Sequence, residues 1–548
     1  MSGARFSQSE TVDFLIVGAG AAGGVLAKEL SVAGFTVLVL EQGPRLEAKD
    51  FEHDEFKYFF RSWLNNRPDL QPQTFKAGPD AEPRQGAGGV VYHRLVGGGS
   101  VMFTSNYWRF KPIDFNERSV LGPIAGTGFA DWPITYEDLE PYYTKAEWDL
   151  GVSGEPGPFD PPRSRGYPTP PLPVKSSGVL FERGARALGF HPQVAPMCII
   201  SEPYKGRAAC QHCGYCSGFG CEHRAKSSTL FTTIREAEAT GRCEVRPESY
   251  VRKIEIDKSG RVIGAVYFDD DKVEHFQPAR VVIVSANGSE TPRLLLLSKS
   301  NMFPDGLANS SGVVGTNLMF NGNASTTGVF ERPLNDWKSV MATRMIWDFY
   351  ETDPKRGFYG GGGVDARYWG YPLMVANGGL PPDAPTWGAE YKSMLHHHYS
   401  RMMNTDVHST SLPVSTNRIE LDPELRDDWG LPALRVTYKD HPDDTATIKF
   451  FVERAIEIME AAGALRTWGP TNFEQQIGYH LLGTCRMGND PKTSVVDKYH
   501  RTHDVPNLFL CDGSSLVTGG RGQPTETIQA LAYRAADHIA DFARRGEI

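Results

Sequence analysis

Residues 13–41 read DFLIVGAGAAGGVLAKELSVAGFTVLVLE, and this stretch decides the fold. The apolar run at 13–17 predicts a short buried strand. Residues 21–33 mix small side chains with leucines at helical spacing, and 35–40 (FTVLVL) return as a second strand. Between strand and helix stand Gly18, Gly20 and Gly23, spaced G-x-G-x-x-G. Glycines there allow the tight turn and let backbone amides approach a pyrophosphate, at the positive end of the helix. Glu41 closes the second strand where an acidic side chain accepts hydrogen bonds from the adenosine ribose, and Arg45 keeps a ribose 2′-phosphate open. The glycines alone would suit ordinary turns. With strand, helix and acid in register they predict a β-α-β dinucleotide unit.

Further along, residues 280–285 (RVVIVS) predict another buried strand, followed by a helical stretch at 290–297, and a third hydrophobic strand at 508–511 precedes Asp512 and Gly513. After Pro524, the residues Ile528, Leu531, Ala532, Ala535 and Ile539 repeat at helical spacing. They predict a terminal helix over 525–544 docked on the nucleotide lobe. The Pro- and Gly-rich stretches 154–173 and 360–385 read as long surface excursions of a substrate-side lobe. No internal repeat or low-complexity tract is present. The class is α/β.

At 548 residues the chain is too long for one small module, and two lobes are expected. Its apolar and charged fractions, 40% and 22%, are those of a globular protein, without a run near the roughly 18 apolar residues of a bilayer span. The net charge of −9 comes without long charged blocks, which argues against nucleic acid and against a polybasic membrane patch. Residues 1–11 are polar, with neither the apolar core of a secretory signal nor a twin-arginine pair, so a cytoplasmic location is expected.

A second glycine cluster, Gly97, Gly98, Gly99 and Ser100 after 93–96 (HRLV), would carry backbone close past a bulky planar group. More blocks follow in order: 106–115 (NYWRFKPIDF), 131–134 (DWPI), Asn417-Arg418 with Leu421-Asp422-Pro423, 479–488 (YHLLGTCRMG), Asp512-Gly513-Ser514 and 524–534. Together they resemble the glucose-methanol-choline (GMC) oxidoreductases over nearly the whole chain. The resemblance implies a Rossmann-like FAD-binding domain with a discontinuous α+β substrate-binding domain. The FAD domain would comprise 1–120, 241–325 and 471–548, with a cysteine-bearing substrate-side segment at 121–240 and the substrate-binding domain at 326–470. It adds Gly98, Gly99, Ser100, Val251, Asp512, Gly513, Pro524 and Thr525 to the cofactor side. Val101, Met102 and Phe103 stand where a covalently flavinylated member would carry histidine, so the FAD is expected to be noncovalent.

Oxidising an alcohol requires a base for the hydroxyl proton, a task that suits imidazole near neutral pH. His480 occupies the family's position for it. The family's second residue, histidine or asparagine, aligns with Gln523, which can orient the substrate oxygen by hydrogen bonds but cannot titrate. The free amides of the turn after Pro524 would face the pyrimidine edge of the flavin. The run His396-His397-His398 is expected to line a surface or a pocket, because neighbours in a strand point to opposite faces and rarely share a metal.

Cys210, Cys213, Cys216 and Cys221 are spaced C-x2-C-x2-C-x4-C, near an iron–sulfur ligand run. Residues 210–228 resemble the large subunits of bacterial gluconate- and glucose-type dehydrogenases, some of which carry a three-iron cluster that relays electrons to a cytochrome subunit. The expected centre is a 3Fe-4S or 4Fe-4S cluster, with structural zinc, two disulfides and free thiols as open alternatives. Cys198, Cys243, Cys485 and Cys511 read as buried thiols. The resemblance implies a dehydrogenase for a hydroxyl of a sugar, sugar acid or glycoside, with a small subunit and a cytochrome as partners and a periplasmic location if a signal-bearing partner exports it. The alternatives are a hydrogen-peroxide-forming alcohol oxidase with structural cysteines, a lyase with the flavin as spectator, and a non-catalytic flavin scaffold.

Overall fold

Strand Val12–Val17 is buried on both faces from Phe14 to Val17, as that unbroken apolar run requires, with Asp13 part-exposed near its start. It pairs in parallel with Val37–Leu40 on one side and with the second half of Glu274–Val284 on the other. Cys243–Arg246 extends this parallel row beyond Val37–Leu40, and Leu508–Leu510 joins Glu274–Val284 from the far end of the chain. The first half of Glu274–Val284 turns antiparallel to Val262–Phe268, which pairs with Tyr250–Ile256 to complete a seven-stranded sheet. The computed structural model describes residues 6–368 and 370–548.

Helix Ala21–Val32 follows the first strand and packs against helix Thr525–Arg544, whose bounds are those predicted from its apolar spacing. Ala27, Leu30, Ala532, Ala535 and Ile539 lie in one buried cluster, and the small alanines let the two helices approach closely. Helix Asn287–Leu297 begins three residues before the expected 290. The Asn287 side chain accepts from the amides of Ser289 and Glu290, at 2.9 and 3.2 Å, and so starts the helix earlier than its apolar pattern does.

A second, six-stranded antiparallel sheet runs Arg466–Trp468, Gly322–Val329, Met402–Ser409, Gly362–Arg367, Ala342–Ile346 and Gln193–Val194. Helix Pro442–Ala461 covers one of its faces through Ile448, Phe451 and Val452 against Ala324, Val364 and Val407. The expectation of a surface excursion over 360–385 is corrected here, because Gly362–Arg367 is a wholly buried strand inside this sheet. Its glycines serve close packing. A Cβ on Gly362 would lie 1.9 Å from the His408 carbonyl oxygen, and one on Gly363 would lie 2.3 Å from the Trp347 ring. Residues 154–173 are irregular, as expected, apart from one bridge at Thr169. His396, His397 and His398 lie on helix Gly388–Tyr399 and not on a strand, where successive side chains still diverge, and they stand outside the central cavity. Among the described residues no helix is long and apolar enough to cross a membrane.

Candidate active site

A cavity of about 820 Å³ runs between the two sheets, from Gly18, Gly20 and Glu41 at one end to His480 and Gln523 at the other. Gly18 has φ +97°, and a Cβ there would lie 2.5 Å from the Ser285 carbonyl oxygen. Gly98, at φ +51°, brings the second glycine loop onto the first, since a Cβ on it would sit 2.8 Å from the Gly20 Cα. A Cβ on Gly20 or Gly99 would meet no protein atom within 4 Å, and both glycines line the cavity. The space before them fits a ligand that approaches bare backbone. Two buried wall atoms, Nδ1 of His93 and Oδ1 of Asn321, have no hydrogen-bond partner in the protein.

The other residues expected on the cofactor side divide between wall and support. Ser100, Val251, Asp512, Gly513, Pro524 and Thr525 line the cavity. The Ser100 hydroxyl donates to the Gly97 carbonyl at 2.6 Å, and Asp512 accepts from the Ser514 and Asn287 amides at 2.7 and 3.0 Å, which ties the loop to the helix beside it. Glu41 accepts from the Ala19 and Gly43 amides at 2.9 and 3.0 Å. Burial outweighs those bonds and pushes its carboxyl up to about 7. Gly23 stands behind the wall. Its missing side chain lets the helix sit on the turn, because a Cβ would lie 1.9 Å from the Gly18 carbonyl oxygen. Arg45 also lies outside the wall and turns to Glu238, with one bond of its two-pronged pair at 2.7 Å.

At the far end, His480 follows the short strand Ile477–Gly478, which pairs with Gly89–Val90, and Gln523 stands at the entry to helix Thr525–Arg544. The structure brings these two together, with His480 Nε2 3.1 Å from Gln523 Oε1. Burial, with His408 and Arg367 nearby, lowers the His480 imidazole to about 4 against the raising effect of Gln523, so the ring is neutral near pH 7. Asn323, Ser325, Arg367, Gln475 and Tyr479 complete a polar end. Sequence reasoning missed Asp365, Arg367 and His408, which stand behind Gln523. The available signal was the alternation of charged and apolar residues in 364–367 (VDAR) and 405–408 (TDVH).

All eight cysteines are unbridged in this structure. Cys198, Cys243, Cys485 and Cys511 are buried as expected. Cys210, Cys216 and Cys221 pack beside the cluster of Met197, Ile199 and Ile200, whereas Cys213 is exposed. Cys213 shares its surroundings with His53 and Glu222, and their ligand atoms all lie within 4.8 Å of one another. Lys226 Nζ donates to the carbonyls of Phe103, Cys216 and Phe219 at 3.1, 2.6 and 2.7 Å, fastening the cysteine segment to the glycine loop. Ser217 and Gly218, within that segment, line the cavity.

Two sequence profiles described as GMC oxidoreductase match residues 12–321 and 413–532. The 2-methyl-1,2-propanediol dehydrogenase of Mycolicibacterium austroafricanum is 35% identical over 97% of this chain and 96% of its own. The gluconate 2-dehydrogenase flavoprotein of Pantoea cypripedii is less similar, at 29% identity over 98% and 94%. The fructose dehydrogenase large subunit of Gluconobacter japonicus is 28% identical over 98% and 100%. The sugar-type dehydrogenases are therefore more distant than the diol enzyme, which corrects the expected order of likeness. Among solved structures, formate oxidase of Aspergillus oryzae superposes with TM-score 0.65 at 15% identity, covering 99% of this chain and 100% of its own. Pyridoxine 4-oxidase of Mesorbium loti does so with 0.60 at 18%, covering 96% and 99%. At those identities the likeness shows the fold alone.

Proposed function

The chain belongs to the GMC oxidoreductase family, and from that premise we propose that it is a dehydrogenase for a hydroxyl-rich alcohol, a vicinal diol or a sugar-like polyol, with His480 as base. It is an FAD-dependent oxidoreductase acting on CH–OH donors. The observation that carries the finer reading is the pairing of a neutral His480 with Gln523 at a polar end of the cavity. Bound FAD supplies the two-electron acceptor for the hydrogen on the substrate carbon, and the glycine loops, Glu41 and the first turn after Pro524 would hold it noncovalently. His480 takes the hydroxyl proton at Nε2 as the carbonyl forms. Gln523 holds the substrate oxygen without titrating. Asn323, Ser325 and Gln475 offer hydrogen bonds to further hydroxyls, which favours a polyol over a simple alcohol.

Anaerobic mixing of the holoenzyme with 2-methyl-1,2-propanediol, D-fructose, D-gluconate, D-glucose and 1-butanol tests this. Hydroxyl-rich members should bleach the flavin absorbance, and bleaching by 1-butanol alone would sink the polyol reading. A lyase with a spectator flavin would show no bleaching at all. Faster turnover with an artificial dye than with oxygen is expected of a dehydrogenase, and the reverse of an oxidase.

In this reading Cys210, Cys213, Cys216 and Cys221 would hold an iron–sulfur cluster, which would supply a relay toward a small subunit and a cytochrome. Four unbridged thiols and the wall position of Ser217 and Gly218 support it. The grouping of His53, Cys213 and Glu222 instead favours a mononuclear metal such as zinc. Iron, acid-labile sulfide and zinc assays on anaerobically purified protein separate the two.

A further inference from the structure

The sheet of the substrate side carries a row of buried charge directly behind the reacting pair. Its register sets Asp365 opposite Asp406 and Gly363 opposite His408. Val364, Ala366 and Val407 point to the helix-covered face, so Asp365, Arg367, Asp406 and His408 share the other, where all four side chains are buried. Two carboxylates facing each other out of water repel unless a cation joins them. Arg367 does so, with Nε 3.2 Å from Asp365 Oδ1 and Nη1 3.3 Å from Asp406 Oδ2. The guanidinium and His408 hold the Asp365 carboxyl below its ordinary range despite burial.

His408 continues the row toward the cavity. Its Nε2 lies 3.2 Å from Asp365 Oδ2 and 3.2 Å from Arg367 Nη2, and its Nδ1 lies 2.9 Å from Gln523 Nε2. Its ring stands nearly perpendicular to that of Trp108, with centroids 5.1 Å apart, which holds the ring plane. Gln523 then reaches His480 through Oε1. A neutral amide between two imidazoles has a direction, because one end donates and the other accepts.

We propose that His408, gripped by Asp365 and Arg367, is a positioning residue that sets the direction of the Gln523 amide and thereby the hydrogen on His480. The inference rests on the reading of His480 and Gln523 given above. With its hydrogen on Nε2, shared with Asp365, His408 accepts the Gln523 amide hydrogen at Nδ1. Oε1 then faces His480 and accepts from its Nε2–H. With the hydrogen on Nδ1 instead, Nε2 accepts from Arg367, the amide oxygen turns to His408, and the amide N–H faces a bare Nε2 on His480. Both arrangements satisfy the Gln523 amide, and they differ by one amide rotation together with a change of the hydrogen-bearing ring nitrogen on each imidazole. A substrate hydroxyl entering between His480 and Gln523 requires the second, which presents an acceptor on His480 and a donor on Gln523. His408 itself is not part of the cavity wall.

A double-mutant cycle on the holoenzyme tests this, with the rate of anaerobic flavin reduction by the fastest alcohol of the panel above as readout. His408→Ala should slow reduction at least 10-fold with FAD content unchanged. In a Gln523→Ala background the same change should cost less than 2-fold, because the residue through which His408 acts is gone. Equal losses in both backgrounds, or a single-variant loss below 2-fold, would overturn the proposal. Where His408→Ala does not retain FAD, His408→Gln keeps a donor for Asp365 and should show the same non-additivity. Full turnover by His480→Ala would instead defeat the assignment of the base and leave the cycle to report on His408 alone.

Discussion

The nucleotide end of the cavity is made of backbone, and the reacting end is made of side chains. At the first, Gly18, Gly20, Gly98 and Gly99 act through atoms they lack, and helix Ala21–Val32 presents its amides directly behind them. At the second, His480, Gln523, His408 and Asp365 arrive from four separate segments and meet through hydrogen bonds of 2.9 to 3.2 Å. A side chain on Gly18, Gly23 or Gly98 would press on main chain, and one on Gly20 or Gly99 would intrude on the cavity. A side-chain relay tolerates conservative change but loses rate with each lost bond.

The largest expected effect lies at the cradle. Gly23→Val should abolish FAD uptake, read as flavin absorbance per mole of folded protein, because the new Cβ would meet the Gly18 carbonyl oxygen at 1.9 Å. Normal flavin content in that variant would break the contrast between the two ends. At the reacting end, His480→Ala should keep its FAD and lose about 10²- to 10⁴-fold in the flavin reduction rate, the span of general base catalysis.

The two ends should also respond at different pH. His480 is held down to about 4, so its neutral, proton-accepting form persists as pH falls from 8 to 5, and the acid limb of the reduction rate should lie well below 6.5. Glu41 is held up to about 7, so protonation as pH falls from 8 to 6 should remove an acceptor for the ribose and weaken FAD binding a few-fold. Coincident limbs in the two titrations would mean that one group governs both. The smallest effect is expected for Arg45→Ala. Its partner is the part-exposed Glu238, so FAD affinity should change by less than about 2-fold, in the range of a surface ion pair. A loss of 100-fold would move Arg45 into the cofactor site.

This contrast also explains what the sequence could disclose. The β-α-β unit and the terminal helix were legible because their determinants are local, namely a strand, three glycines and an acid within 29 residues, and one apolar face after Pro524. His480 was legible through the block around it. The strand Gly362–Arg367 was not, since a glycine run that reads as a loop packs as a strand only when His408 and Trp347 come close from elsewhere in the chain. The setting of Gln523 was half legible. Its inability to titrate follows from its chemistry, whereas the imidazole behind it depends on a strand register that no local pattern records. The partner of Arg45 was illegible for the same reason, because Glu238 lies far away in sequence.

Leu508–Leu510 is laid beside Glu274–Val284, and helix Thr525–Arg544 is packed on Ala21–Val32. The first glycine turn therefore waits for a helix encoded far behind it. Until some five hundred further residues have been synthesised, the glycine cradle has no roof and neither His480 nor Gln523 exists. A copy cut short before residue 480 would carry the glycine turn and neither member of the reacting pair.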